Sequence, residues 1–369
     1  MKKILSILLL LALIVVGCSE DDYEKGVWAP SPFDLSERVP GRVVGAYVTH
    51  YGKSMPDPMF FTNLYYSFAE VYMEDGVYKG FKLQGSEDRF KQIVQLKSQN
   101  PDLKISIAFA NLVENSDNTH GGGFSALAKS AEYRTQFAKD CKEFLEKWGI
   151  DGVDMDWEFP GLTWGDTEFD ETVDVENHVL LMKELREILG SRYLLTYAGY
   201  SKDKQKTDKG WRYIDVKAID PFIDFVNIMT YDLGSAPSHQ SALNDPSAPW
   251  DCYRAVQAYL DAGVSASKLV LGVPFYGRNS FGANGSITYA KIQELPSEYM
   301  IDNWDDVASV PYVTKDGVYY CGYDNAKSIE IKGDWLLSLG MKGMMYWDYD
   351  GDDQKSTLRK AVWESVMQP

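Results

Sequence analysis

The 369-residue sequence predicts an α/β fold: a closed (β/α)₈ barrel carrying a small α+β insertion between strand 7 and helix 7. Three observations carry that expectation. From Arg42 onward, short β-branched or aromatic runs alternate with segments that are apolar at helical spacing, which marks repeated βα units around a parallel sheet. There are eight such runs, the number that closes a barrel with a helix left to seal it. With 45% hydrophobic and 25% charged residues, 30 Gly and 15 Pro, the chain also has the apolar material for a large core, which excludes disordered, collagen-like and disulfide-scaffold classes.

Taken in order, the chain opens on Lys2 and Lys3 and an unbroken apolar or small run from Ile4 to Gly17. That run is too short for a spanning helix and suits the hydrophobic part of an export signal. Val15-Val16-Gly17-Cys18 resembles the lipobox of bacterial lipoproteins, which implies a signal peptide over residues 1–17 and lipidation of Cys18. An ordinary signal peptide with a Cys near its cleavage site is the other reading. Residues 18–41, with Ser19-Glu20-Asp21-Asp22 and three prolines, then read as a linker, so the protein is expected outside the cell membrane, lipid-anchored to the envelope at the outer membrane or the cell surface.

The barrel domain is expected over residues 42–369. Its strands are read at 43–48, 63–68, 104–108, 152–157, 194–199, 225–230, 269–273 and 343–347. The helical faces between them are exemplified by Leu181, Leu185 and Ile188 and, at the end, by Leu358, Ala361, Val362 and Val366. Residues 279–323, with Gly, Pro, Tyr and short strand-like pieces such as 317–321, break the alternation and form the insertion, on the strand C-terminal side where active-site walls sit.

Composition narrows the function. Against 37 Lys+Arg stand 54 Asp+Glu, a balance of −17 that becomes −19 once residues 1–17 leave with Lys2 and Lys3. Such a surface repels phosphate backbones, so no nucleic-acid partner is expected. The 10 Trp, 24 Tyr and 16 Phe suit flat, uncharged, hydroxylated ligands such as sugars. The four His are dispersed, and Cys141, Cys252 and Cys321 lack metal-ligand spacing, so neither metal nor cofactor is expected. Cys141 shares a helical face with Phe137, Phe144, Leu145 and Trp148, which makes it a small core residue rather than a nucleophile.

Asp151-Gly152-Val153-Asp154-Met155-Asp156-Trp157-Glu158 is the informative segment. At a period of two, Asp154, Asp156 and Glu158 share one face and Val153, Met155 and Trp157 the other. Helices cover the outside of a closed barrel, so the apolar set faces them and the carboxylates converge on the axis near the mouth. Like charges held so close cannot all ionise. At least one carboxyl is driven upward and a proton is shared, the condition for an acid that can protonate a leaving group near neutral pH.

This segment is similar to the DxxDxDxE signature of glycoside hydrolase family 18, the chitinase-like TIM barrels. Val43-Val44-Gly45-Ala46-Tyr47, Tyr66-Ser67-Phe68-Ala69 and Met229-Thr230-Tyr231-Asp232 resemble the family's first, second and sixth strands, and the stretches at 268–278 and 343–350 its seventh and eighth. The resemblance implies hydrolysis beside N-acetylglucosamine by a substrate-assisted, retaining route. It also implies that Glu158 is the general acid, Asp156 holds the acetamido N–H, Asp154 shares a proton with Asp156, and Tyr231 bonds the acetamido oxygen. Trp347 would floor the sugar, with Tyr47, Phe68, Met229, Asp232 and Arg278 around it; Trp164 is a further stacking candidate. Asp151 falls off the inward parity and is expected to orient the turn. The family's third strand carries SxGG where this chain has Ser106-Ile107-Ala108-Phe109, which puts two side chains near the floor of the site. The insertion resembles that of the deep-cleft branch but is short, implying an open groove and internal cleavage. An N-acetylglucosamine glycan is therefore the expected partner of a monomeric enzyme: chitin, its oligomers or a peptidoglycan-derived chain. An endo-β-N-acetylglucosaminidase acting on N-glycan cores and a non-catalytic glycan-binding protein are the alternatives.

Overall fold

The structure is a computed structural model and describes residues 34–115, 123–162, 169–201, 206–207, 210–211, 213–282 and 285–368. Eight parallel strands close into a barrel: β1 (Val43–Thr49), β2 (Asn63–Glu74), β3 (Lys104–Asn115), β4 (Gly152–Met155), β5 (Leu194–Gly199), β6 (Phe225–Ile228), β7 (Leu269–Pro274) and β8 (Gly343–Trp347). The seam is β1, which pairs with β8 at Val43↔Gly343 and with β2 at Gly45↔Asn63. The eight expected strands are all present.

The expectations and the structure differ in three places. Residues 50–62 link β1 to β2 without a helix, because Pro56 and Pro58 remove amide donors and fix the backbone away from helical continuation. Strands β2 and β3 each run twelve residues, past the barrel rim, because an antiparallel strand, Val77–Leu83, turns back through Asp75-Gly76 and pairs with β2. Both turn residues have positive φ (50° and 74°), the conformation a two-residue hairpin turn demands and one that Asp and Gly adopt at little cost. The ladders of β4 and β6 end at Met155 and Ile228, short of the expected 157 and 230, because the chain there leaves its neighbours to shape the mouth. Thr230 instead spends its hydroxyl on Gly272, donating to the carbonyl (2.6 Å) and accepting from the amide (2.9 Å).

Helices pack the barrel's outside. The longest, Ala131–Trp148, starts where the Ser130 hydroxyl accepts from Tyr133 N, ends at Gly149 with φ 65°, and buries Phe137, Ala138, Cys141 and Leu145. Truncating a buried Phe such as Phe137 to Ala costs about 3–5 kcal/mol in comparable cores. Inside the barrel a second, smaller apolar cluster of Val43, Tyr47, Tyr65, Ala108, Phe225, Val270 and Met345 plugs the channel beneath the mouth.

Between β7 and the helix Ala326–Ser338 lies a five-stranded antiparallel sheet with the spatial order Ser286–Thr288, Tyr276–Asn279, Val318–Gly322, Val310–Lys315, Tyr299–Asp305. It begins at Tyr276, three residues before 279, so Tyr276 and Arg278 belong both to the barrel mouth and to the insertion. At the other end of the chain, the linker's last residues dock on the closing helix Thr357–Met367. Trp363 Nε1 donates to Ser36 O (2.8 Å), Ser36 bonds Glu364, and Arg42 donates to Val366 O (2.8 Å).

Candidate active site

The site is built from the C-terminal ends of the strands. At the start of β4, Asp151 accepts from Ile105 N (2.9 Å) and Lys97 Nζ (2.5 Å), tying the strand to β3 outside the site. Asp154, in register with Ala108 and Thr196, points inward and is completely buried. Its Oδ1 accepts from Thr196 Oγ1 (2.5 Å) and Asn227 Nδ2 (3.3 Å), its Oδ2 from Tyr47 OH (2.7 Å). Burial still outweighs these donors and pushes its carboxyl up to about 6.

Asp156 sits above it, its amide bonded to Phe109 O (3.0 Å). Burial raises its carboxyl well above the usual range, and the adjacent Glu158 and Asp154 charges raise it further. Its Oδ1 is buried without a hydrogen-bond partner among the described residues. A bare buried carboxylate oxygen is costly, so this atom calls for a proton or for a donor brought by a ligand. Glu158, bonded to Asp156, opens onto the cleft, where burial and the Asp232 charge push it up to about 7 against the opposing effect of the Asp156 bond. The three carboxyl groups therefore form a ladder from a closed floor to the cleft, holding fewer than three charges at neutral pH.

Across the cleft, Arg278 Nε and Nη2 donate to Asp232 Oδ1 and Oδ2 (2.6 and 2.5 Å). Asp232 holds φ at +56°, a left-handed conformation that Asp tolerates better than most residues. Tyr231, its hydroxyl held protonated by burial and the nearby Tyr276 and carboxyl groups, packs edge-on to Tyr276 (6.3 Å). Room for its ring comes from Gly272, where an added Cβ would fall 2.4 Å from Ile228 O and 2.9 Å from Tyr231. Trp347, at the end of β8, stacks on Phe68 (5.6 Å, 21°) and tilts against Tyr47 (5.6 Å).

These groups surround one cleft of about 570 Å³, the size of a small-ligand site. Of the ten barrel residues singled out in the sequence, Asp156, Glu158, Tyr231, Trp347, Tyr47, Phe68, Met229, Asp232 and Arg278 line it, and Asp154 lies beneath. Trp164 and Cys18 lie outside the described residues. The two side chains that replace the SxGG glycines part company. Ala108 joins the interior cluster under the site, while Phe109 points outward onto Phe81 and Phe137 (4.9 Å each), so only a methyl group is added behind Asp154.

The cleft also takes side chains the sequence reading did not place there: Tyr51, Phe159, Tyr200, Tyr276 and Asp348. Tyr276 was within reach, since it shares the parity of Arg278; the other four follow strand ends, where no period points inward. Among the described residues no group of three or more His, Cys, Asp or Glu side chains is placed to hold a metal ion.

Comparison with known proteins agrees with this architecture. The family model for Glycosyl hydrolases family 18 matches residues 43–352. Chitinase A1 of Niallia circulans is 32% identical over 314 residues, covering 73% of this chain and 43% of its own length. Chitotriosidase-1 of Mus musculus is 27% identical, covering 82% and 69%. The structure of the Ostrinia furnacalis Group IV chitinase superposes with a TM-score of 0.75 at 25% identity over 89% of this chain and all of its own. The chain thus spans less than half the length of the Niallia protein. With the acidic ladder, the barrel and the family match in agreement, the chain belongs to the glycosyl hydrolases of family 18.

Proposed function

We propose that this chain hydrolyses β-1,4 bonds beside N-acetylglucosamine in chitin or chito-oligosaccharides, with retention and with the substrate's own 2-acetamido oxygen as nucleophile. The observation that carries the reading is the ladder itself. Glu158 faces the cleft with a carboxyl near 7, and the carboxyl beside it, Asp156, is raised well above the usual carboxylate range and bonded to it. An ordinary retaining pair would place an ionised nucleophile on the far side of the sugar, about 5–5.5 Å from the acid. The far wall here offers Asp232, whose two oxygens are taken by Arg278.

In this reading Glu158 gives its proton to the glycosidic oxygen as the bond to C1 breaks and the acetamido oxygen closes on C1. Asp156 accepts the acetamido N–H, fixing that oxygen's approach, and Tyr231 donates to the same acetamide. Glu158, now a carboxylate, takes a proton from water as the water oxygen attacks C1 and the acetamide is released, which restores both groups. Trp347 and Phe68 provide the apolar floor for the sugar ring. Glu158 and its raised carboxyl also weigh against a purely binding role.

Mass spectrometry of products from residues 23–369 incubated in parallel with chitohexaose and a high-mannose glycoprotein tests this. Short N-acetylglucosamine oligomers are expected from the first. A glycan released with one N-acetylglucosamine left on the protein would move the assignment to N-glycan cores, and binding without cleavage of either would overturn catalysis. We further propose export and anchoring through Cys18, on the strength of its lipobox context alone; Cys18→Ser should move the protein from the membrane to the soluble fraction.

A further inference from the structure

Arg278 is the one cationic side chain among the described residues that line the cleft, and Asp232 neutralises it. On the opposite side, directly after Trp347, Asp348 lines the same cleft and forms no ion pair among the described residues. Its Oδ1 accepts from Asp350 N (3.0 Å), capping the turn Tyr349–Gly351, which fixes the carboxylate where it stands. Burial and the Asp350 charge push it up to about 6, so an adjacent cation would relieve it. The charges around it are set. Asp350 bonds the Ser54 hydroxyl and faces Arg89, which donates to Ser54 O (2.7 Å), so that arginine answers Asp350 rather than Asp348. Tyr51, 62% exposed and close enough to sense the Asp348 charge, forms the outer wall of this end of the cleft.

We infer that Asp348 is a specificity-determining residue that, with Tyr51, selects a glucosaminium unit, the 2-ammonium sugar left by de-N-acetylation, at the position next to the sugar on Trp347. The inference rests on the reading above, because the sugar on Trp347 must keep its acetamide to act as nucleophile, which leaves the neighbouring unit as the place where an amine can be accommodated. A fixed, unpaired carboxylate at the edge of a low-dielectric cleft complements a primary ammonium far better than a neutral acetamide, and an aromatic ring beside it adds cation–π attraction.

The test compares wild type with Asp348→Asn, which keeps the turn cap because the amide oxygen still accepts from Asp350 N. The readout is the ratio of kcat/KM on partially de-N-acetylated chito-oligomers to that on chitohexaose, with the products sequenced by mass spectrometry. The substitution should lower that ratio by about tenfold, the worth of one charge-assisted contact. Wild-type products should be enriched in glucosamine one unit in from the new reducing end, and added salt should narrow the difference between the two proteins. An unchanged ratio, or no enrichment in the wild type, overturns the inference while leaving the hydrolase reading intact. If the wild type fails to cut chitohexaose, the hydrolase reading falls. The inference, which rests on that reading, then falls with it.

Discussion

On the β4 wall of the cleft three carboxyl groups are stacked from a closed floor to the opening and all are raised by burial, whereas across from them Asp232 meets Arg278 through two short hydrogen bonds. The residue types are the same and the consequences opposite. Where burial outweighs the hydrogen bonds at hand, carboxyl groups rise to about 6 and 7 and become proton carriers. Where a guanidinium meets the carboxyl group in a two-pronged geometry, both oxygens are taken and the pair serves as a clamp. The cleft thus keeps mobile protons on one wall and fixed charge on the other, and each wall can be broken separately.

The largest effect should come from the ladder. Glu158→Gln removes the proton donor without changing shape, so turnover of chitohexaose should fall by about 10³-fold, within the range for a general acid, while its affinity by calorimetry changes little. A parallel loss of affinity would mean that Glu158 holds the substrate rather than protonating it. On the clamp wall, Arg278→Ala should act mainly on binding, raising KM by roughly tenfold and leaving Asp232 without its partner. A larger fall in kcat than in affinity would mean that the clamp takes part in the chemistry.

This contrast was only half legible in the sequence. The ladder could be read because two rules coincide, the period of two along β4 and the closure of a barrel that forces the polar face inward. Asp348 and Tyr51 could not, since both follow strand ends, where side-chain direction is set by the turn and not by any repeat. The Asp75-Gly76 hairpin is a different case: the turn signal is present in the sequence, but the strand after it, Val77–Leu83, mixes polar and apolar residues too irregularly to stand out. Phe109 shows the reverse error. Its place in the motif put it near the floor of the site, yet alternation with inward Ala108 required it to face the helices, where Phe81 and Phe137 wait. The docking of Ser36 on Trp363 joins segments 327 residues apart, and no local pattern announces it.

A finer test sharpens the ladder's internal order. Thr196 Oγ1 is one of three donors that hold the Asp154 carboxylate down against burial. Thr196→Val removes that donor at nearly constant volume, so Asp154 should take up its proton at higher pH. In the pH profile of kcat/KM, the acidic limb, set by Asp154 near 6, should move upward by about one unit. The basic limb, set by loss of the Glu158 proton near 7, should stay. Movement of both limbs together would mean that the three groups titrate as one unit, without the division between floor and cleft.

The smallest effect concerns stability, where the two walls should differ in sign. Glu158 has a folded value near 7 against 4.5 in a free chain, so it binds its proton more tightly in the folded state. Its favourable contribution is complete below about pH 4 and is lost as pH rises through 7, where an ionised carboxylate must sit in the buried site. Over that window the folded protein gives up at most about 3 kcal/mol. Glu158→Gln escapes this loss, so its melting temperature should exceed that of the wild type by a few degrees at pH 8 and match it at pH 4. Arg278→Ala should do the opposite at pH 8, lowering the melting temperature by removing both hydrogen bonds to Asp232. If Glu158→Gln gave no gain at pH 8, the acid would already be well solvated in the folded protein, and the ladder would lose the strain that makes it a proton donor.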